Sequence, residues 1–404
     1  MTIRWITELL GTASALDVRD MTGIAIVDVR DLVDKAGNRQ DAVKEKILCG
    51  AEHLRNGIKT VVCCDYGISR SNAVAAGIIT VHQQISFFDA VRLVQDRTGE
   101  TEIKLDPLEA VRRAVEDARP SRRSESRRTV LVTGARGFIG SAVCKGFANQ
   151  CEVIAPTREE LDIEQGGTQL SLLVAEHNVD CIIHLANPRV YTSNIALGKT
   201  LTMLRNVLEV CAARSISLIY PSGWEIYSGY AGNLLADETL PAFARGPYGD
   251  TKYLAETLIK QFQIASDIDC AILRSSPLYG LGTDKPKFIY NFIDKARRGE
   301  LIVTHRYLNG DAALDLLHVD DFASAIVKVC EKKYVGTFNF GTGITTTTKS
   351  IAEFIKGELG SNSLIEQTLI ESTTAVIAMD YKKANEALGW SPTMRLHEGL
   401  RTLL

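Results

Sequence analysis

Residues 129–140 read "TVLVTGARGFIG", an apolar run that breaks into glycines and resumes as a small-residue, apolar segment. Thr129–Thr133 reads as a buried strand and the residues from Phe138 onward as a helix. Between them Gly134, Gly137 and Gly140 recur at every third position. In a strand–turn–helix setting each has a physical task. Gly134 permits the tight turn, Gly137 lets backbone approach a pyrophosphate, and Gly140 lets the helix sit close on the strand. Arg136, Phe138 and Ile139 complete the loop and the helix start, where N–H groups face an anion. This stretch predicts a doubly wound parallel α/β sheet that binds a dinucleotide.

Two further stretches bear on the chemistry. "CEVIAPTREE" (151–160) predicts the second strand, and at its end, where a carboxylate would hold a ribose diol, stand Thr157 and Arg158. Arg158 suits a 2′-phosphate and favours NADP over NAD, with Glu159 and Glu160 adjacent. "GPYGDTKYLAETLI" (246–259) places Tyr248 and Lys252 four apart, on one face of a helix. A neighbouring ammonium makes a phenol more acidic, so Tyr248 can exchange a proton while hydride moves.

In this arrangement residues 129–404 resemble the extended short-chain dehydrogenase/reductases, specifically their nucleotide-sugar epimerases, reductases and dehydratases. "VDCIIHLAN" (179–187) fits the strand end that lines the cofactor, at His184, Leu185 and Ala186. "AILRSSPLYGLG" (271–282) and "DLLHVDDFASAIV" (315–327) fit family stretches that contribute Arg274 and His318 to the substrate site. The resemblance implies a seven-stranded sheet, a small C-terminal substrate lobe from about 275–315 and 340–404, and homodimers as one assembly. The family's catalytic Ser or Thr aligns with Gly223 in "YPSGWEIYSG" (220–229), leaving Ser222 as the candidate hydroxyl. Only Glu225 remains of the Thr-Asp-Glu run used by dehydratases, so epimerisation or reduction of a nucleotide-sugar or sugar-phosphate is expected ahead of dehydration.

Residues 1–118 carry a different signal. In "TVVCCDYGISRSNAVAAGI" (60–78) an apolar strand ends at Cys64, a loop containing Gly67 and Ser69 follows, and a helix starts near Arg70 and Ser71. Inward-pointing N–H groups and the positive end of the helix would cradle phosphate, with Arg70 gripping two of its oxygens. The same field favours the Cys64 thiolate, which is the nucleophilic form. The segment resembles the dual-specificity, cysteine-dependent phosphatases. That implies Cys64 as nucleophile, Arg70 as phosphoryl clamp, Ser71 as an aid to breakdown of the covalent intermediate, and an upstream aspartate as general acid. "VDVRDLVDKAGN" (27–38) offers Asp34 for that role, with Asp31 next. The family's His before the nucleophile is Cys63 here.

The arginine-rich "RPSRRSESRR" (119–128) reads as an exposed linker between the halves. With 45% hydrophobic residues, 24% charged residues and a net charge of −3, the chain reads as globular, with no general pull toward nucleic acid or membrane. Nine cysteines without a Cys-x-x-Cys pair argue against a disulfide framework or a zinc site, hence no metal and a reducing cytoplasm. The start lacks the basic and apolar pattern of an export signal. The expected protein is bifunctional: an NAD(P)-dependent nucleotide-sugar enzyme with a phosphatase acting on a phosphorylated substrate. The alternative is an NADP-sensing regulator with a phosphate-binding module.

Overall fold

A computed structural model of the 404-residue chain describes residues 3–19, 21–116, 127–147, 150–188, 193–282 and 288–404. Most of the linker read over 119–128, up to Ser126, lies outside the described residues. The chain divides into two compact units, residues 1–126 with 161–178, and residues 127–160 with 179–404.

The first unit is built on a four-stranded sheet, β1 (Arg4–Trp5), β2 (Leu10–Ser14), β3 (Ala25–Asp28) and, after helix α1 (Gln40–Arg55), β4 (Thr60–Cys64). The order is β1-β2-β4-β3, with β1 antiparallel to β2 and the rest parallel. Central β4 is buried along its whole length, which is why "TVVCC" is apolar without alternation. Helix α2 (Arg70–Gln83) follows and packs against α1, α3 (Phe87–Thr98) and α4 (Leu105–Glu116). Arg70 through Ile79 are all buried, as befits a helix covered on every side. Glycines let the helices close up: a Cβ on Gly77 would lie 2.7 Å from Val111 and 2.9 Å from Ile47.

Helix Thr168–Glu176 also belongs to this unit, although it lies between two strands of the second sheet in sequence. Thr168 Oγ1 donates to the Ile103 carbonyl at 2.9 Å and accepts from the Ile103 N–H at 3.0 Å. Leu172 joins the core of the unit, and Ser171 Oγ donates to the buried Glu109 carboxylate at 3.3 Å.

The second unit carries a parallel sheet of β5 (Thr129–Thr133), β6 (Glu152–Ile154), β7 (Cys181–His184), β8 (Ser217–Gly223), β9 (Cys270–Ser275) and β10 (Gly336–Phe340). The order is β10-β9-β8-β7-β5-β6. Helices α5 (Phe138–Gly146) and α8 (Val319–Lys332) pack together, as do α6 (Asn194–Arg214) and α7 (Gly246–Ser266). Val130 and Val132 point into the α5/α8 core, where Trp390 stands edge-on to Phe340 at 4.9 Å.

Six strands make up this sheet among the described residues, not the seven expected. Between β6 and β7 the described chain forms a 3-10 turn (Ile163–Gln165) and helix Thr168–Glu176, which buries Leu172 in the first unit and adds no strand to this sheet. A separate apolar cluster gathers Tyr279, Phe292, Ile302, Ile351 and Leu400 into a lobe drawn from the two C-terminal stretches.

Candidate active sites

In the first unit the turn after β4 wraps around a sulfur. Gly67 N donates to Cys64 Sγ at 3.1 Å, and Ser71 Oγ lies 3.4 Å from the same atom, placed to donate to the thiolate. Gly67 has φ +72, and a Cβ there would lie 2.6 Å from the Ala13 carbonyl oxygen, so only glycine fits. Burial pushes the Cys64 thiol up. The Ser71 hydroxyl and the N–H groups of Ser71, Gly67 and Tyr66 outweigh it and hold the thiol below the ordinary range. Cys63 faces the opposite side of β4, against Ala13, Val18 and Val61, and burial beside Asp28 pushes it up to about 11.

Arg70 is buried at the start of α2 and donates to the Leu32 carbonyl at 2.8 Å. Asp34 lies 3.4 Å from its Nε and 3.3 Å from Lys104 Nζ, whereas Asp31 turns away to Lys46 at 3.1 Å. Asp65, inside the loop, pairs with Arg70 Nη2, a partner that sequence reading missed. Ser69 Oγ accepts from the Lys104 N–H at 3.1 Å and fastens the loop to the start of α4.

In the second unit the glycine loop crosses the top of the sheet where the order reverses, between β5 and β7. Gly134 has φ +69, and a Cβ there would lie 2.8 Å from Ala186 N. One on Gly140 would lie 2.7 Å from Ala135 Cα. The loop, the Leu185–Ala186 strand end and the start of α5 therefore form a bare-backbone cradle of the kind a dinucleotide pyrophosphate needs. Thr133 Oγ1 secures it, accepting from the N–H groups of Leu185 and Ala186 at 3.1 Å. The Thr133 hydroxyl proton then points to His184 Nδ1 at 2.8 Å, which places the imidazole proton on Nε2. Burial, with Lys252 nearby, lowers His184 to about 3 and keeps it neutral. Phe138 and Ile139 are half-buried at the head of α5, while Arg136 and Arg158 are exposed at the loop and the end of β6. Glu160 is drawn back onto the Thr157 N–H at 2.7 Å.

Tyr248 and Lys252 stand on α7. Lys252 is buried, donates to the Pro221 carbonyl at 2.8 Å, and holds its ammonium 4.9 Å from the Tyr220 ring centre and 5.6 Å from that of Tyr248. Burial opposes its charge, but Tyr220, Tyr248 and Glu225 together keep the ammonium well above the usual lysine range.

The remaining sequence candidates have structural partners. Ser222 donates to Glu256 at 2.7 Å. Arg274 grips the same carboxylate at 2.7 and 3.0 Å and reaches the Tyr227 hydroxyl at 2.7 Å, all of it buried. His318 caps α8 through the Asp320 N–H at 3.3 Å and sits edge-on to Tyr279 at 5.2 Å. No cluster of His, Cys, Asp and Glu among the described residues could hold a metal.

A family model described as "NAD dependent epimerase/dehydratase family" matches residues 130–341, just over half of the chain. The chain belongs to this family.

Among curated relatives, a putative UDP-glucose 4-epimerase of Methanocaldococcus jannaschii is 31% identical over 306 residues, covering 68% of this chain and 97% of the relative. The solved UDP-glucose 4-epimerase of Thermotoga maritima with UDP-glucose is 25% identical at a TM-score of 0.59, covering 68% of this chain and 96% of its own. The RMD structure from Pseudomonas aeruginosa with NADPH shares the fold at a TM-score of 0.61 and 21% identity, covering 69% and 97%. Within this epimerase/dehydratase chain, sequence reading passed over Tyr220 and Glu256. Both act through residues far away in sequence, and no local spacing marks them.

Proposed function

We propose that the second unit is an NAD(P)-dependent oxidoreductase or epimerase of nucleotide-sugars. The observation that carries this reading is the Tyr248–Lys252 pair on α7, with Lys252 anchored to the end of β8 in a sheet whose glycine cradle fits a dinucleotide. Gly134, Gly137, Gly140, Leu185 and Ala186 hold the dinucleotide, which when bound supplies a nicotinamide that accepts or returns hydride. Arg136 and Arg158 flank the adenosine end and favour a 2′-phosphate. Lys252 charges the pocket beside Tyr248, whose hydroxyl lies at the reacting oxygen of the sugar. The buried Arg274–Glu256–Ser222 network stiffens the floor of the site, so Ser222 and Arg274 are positioning residues.

The test is turnover of UDP-glucose, UDP-glucuronate and dTDP-glucose by the full chain with NAD or NADP. Reduced cofactor is followed by absorbance and sugar products by mass spectrometry. Activity abolished in Tyr248→Phe supports the reading; an intact chain inert toward all three with both cofactors rejects it.

A second reading rests on the first unit: a cysteine-dependent phosphatase. Cys64, its thiol held below the ordinary range by the Ser71 hydroxyl and the N–H groups of the loop, buried Arg70 at the helix start and Asp34 beside it support that reading. Cys64 attacks phosphorus, the P–O bond to the leaving group breaks, and Asp34 supplies its proton. Water then releases phosphate from the thiophosphate with help from Ser71. Phosphate release from aryl and sugar phosphates, compared with Cys64→Ser, is the check. Binding of inorganic phosphate without turnover by the intact chain would favour the regulatory alternative.

A further inference from the structure

Between α3 and α4 the chain runs from Gly99 to Lys104 in neither helix nor strand. Backbone without a ladder of its own must find partners elsewhere. Here several of those partners belong to the phosphate loop. Arg4 pairs with Glu100 and donates to the Gly67 carbonyl, which ties one side of the loop to this segment. The Lys104 N–H donates to Ser69 Oγ at 3.1 Å and ties the other side, next to Arg70. The Lys104 ammonium lies 3.3 Å from Asp34, the candidate general acid.

The segment is itself pinned. Gln95 of α3 donates to the Thr101 carbonyl. Thr168 Oγ1 serves both backbone groups of Ile103, donating to the carbonyl at 2.9 Å and accepting from the N–H at 3.0 Å. Both residues are 1% exposed. A hydroxyl donates and accepts from one atom, whereas valine in its place would leave two buried backbone groups without their partner. The turn before Thr168 lies on the same segment: a Cβ on Gly166 would come 3.0 Å from Glu102 Cγ.

We propose that Thr168 is a positioning residue of the Cys64 site, fixing Ile103 and Lys104 and, through them, the Ser69 side of the phosphate loop and Asp34. The proposal rests on the phosphatase reading above and extends that site to residues 161–178, past the boundary at 118 read from sequence. Gly67 N donates to Cys64 Sγ at 3.1 Å, so a loop that shifts weakens a donor to the sulfur and the thiol rises. The charged groups around the site are Arg70 at the start of α2, Asp65 in the loop, Asp34 from the stretch after β3, and Lys104 beside Asp34.

The first measurement needs no substrate. The pH midpoint for alkylation of Cys64 by iodoacetamide is read in the full chain by peptide mass spectrometry. Thr168→Val should raise it by about half a pH unit or more, and Thr168→Ser, which keeps the hydroxyl, should leave it in place. Ser69→Ala cuts the Lys104 contact without touching the buried core and should raise it too. Ser171→Ala is the control, since it removes a hydroxyl from the same helix and leaves the Ile103 contacts alone. A midpoint unmoved by Thr168→Val or by Ser69→Ala, or raised as much by Ser171→Ala, overturns the proposal.

The second measurement is hydrolysis of p-nitrophenyl phosphate and of β-glycerophosphate. The alkyl ester has the poorer leaving group and depends more on a proton from Asp34. Lys104→Met should lower kcat on β-glycerophosphate about ten-fold and on the aryl ester less than about three-fold, with KM nearly unchanged. Equal losses on the two esters reject the placing of Asp34. If the native chain releases phosphate from neither, the phosphatase reading falls, and the Cys64 titration still decides whether Thr168 sets the loop.

Discussion

Arg274 and Glu256 meet in a two-point ion pair, Nη2 to Oε2 at 2.7 Å and Nε to Oε1 at 3.0 Å, with both side chains buried. A buried charge that loses its partner is far costlier than a pair that was never there. Glu256→Gln should therefore lower stability by about 3 kcal/mol or more. Replacing both residues by methionine should cost less than that. Urea unfolding followed by tryptophan fluorescence, which Trp224 and Trp390 supply in this unit, checks the ordering.

Two adjacent cysteines should differ sharply in reactivity. Cys64 is held below the ordinary thiol range by the hydrogen bonds that overcome its burial, and Cys63 is pushed up to about 11. At neutral pH iodoacetamide should modify Cys64 and spare Cys63, as read by peptide mass spectrometry. Ser71→Ala removes one of the donors to the sulfur and should shift the alkylation midpoint of Cys64 to higher pH.

Asp65 and Asp34 both lie against Arg70, so on the phosphatase reading proposed above a phosphoryl group would have to compete with carboxylates for the guanidinium. Asp65→Asn should tighten inorganic phosphate binding several-fold, since it removes one of the two carboxylates that hold the buried Arg70 guanidinium. Isothermal titration of the full chain gives the answer. Weaker binding would mean that Asp65 organises the loop.

Arg158 stands exposed at the end of β6, and Glu160 is turned back onto Thr157. Losing a charge-assisted contact to a 2′-phosphate costs about 10-fold to 100-fold in affinity. Arg158→Ala should weaken NADPH by that factor and leave NADH almost unchanged, measured by quenching of protein fluorescence.

His184 is buried neutral, its pKa lowered by burial and then by Lys252 from 6.5 to about 3. Between those values the unfolded chain holds a proton that the folded chain refuses. Stability therefore falls as pH drops below about 6.5, by up to about 1.4 kcal/mol per pH unit. His184→Gln loses the Thr133 contact at pH 7 but escapes this acid penalty. The gap between native and variant in unfolding free energy, from urea titrations, should shrink by roughly 2–3 kcal/mol between pH 6.5 and pH 4.5.

Much of this protein was legible from local pattern. The strand at 129–133, the glycine loop and the helix from Phe138 occur as read, because turn chemistry and apolar periodicity act over a few residues. The same holds for the strand ending at Cys64 and the helix opening at Arg70. Among the aspartates upstream of that loop, the one that meets Arg70 is Asp34, and Asp31 instead pairs with Lys46.

What no local pattern could show is which distant side chains meet. Arg274, read as a substrate ligand, spends its guanidinium on Glu256, and His318 caps a helix. Helix Thr168–Glu176, which the sequence places within the second half, buries Leu172 in the first unit and leaves the sheet with six strands among the described residues. Sequence alone determined where the backbone turns and where glycine, cysteine, tyrosine and lysine stand along it, since those depend on nearest neighbours in the chain. Only the tertiary structure decided that Arg274 and Ser222 converge on Glu256, because which distant side chains meet is set by packing in three dimensions.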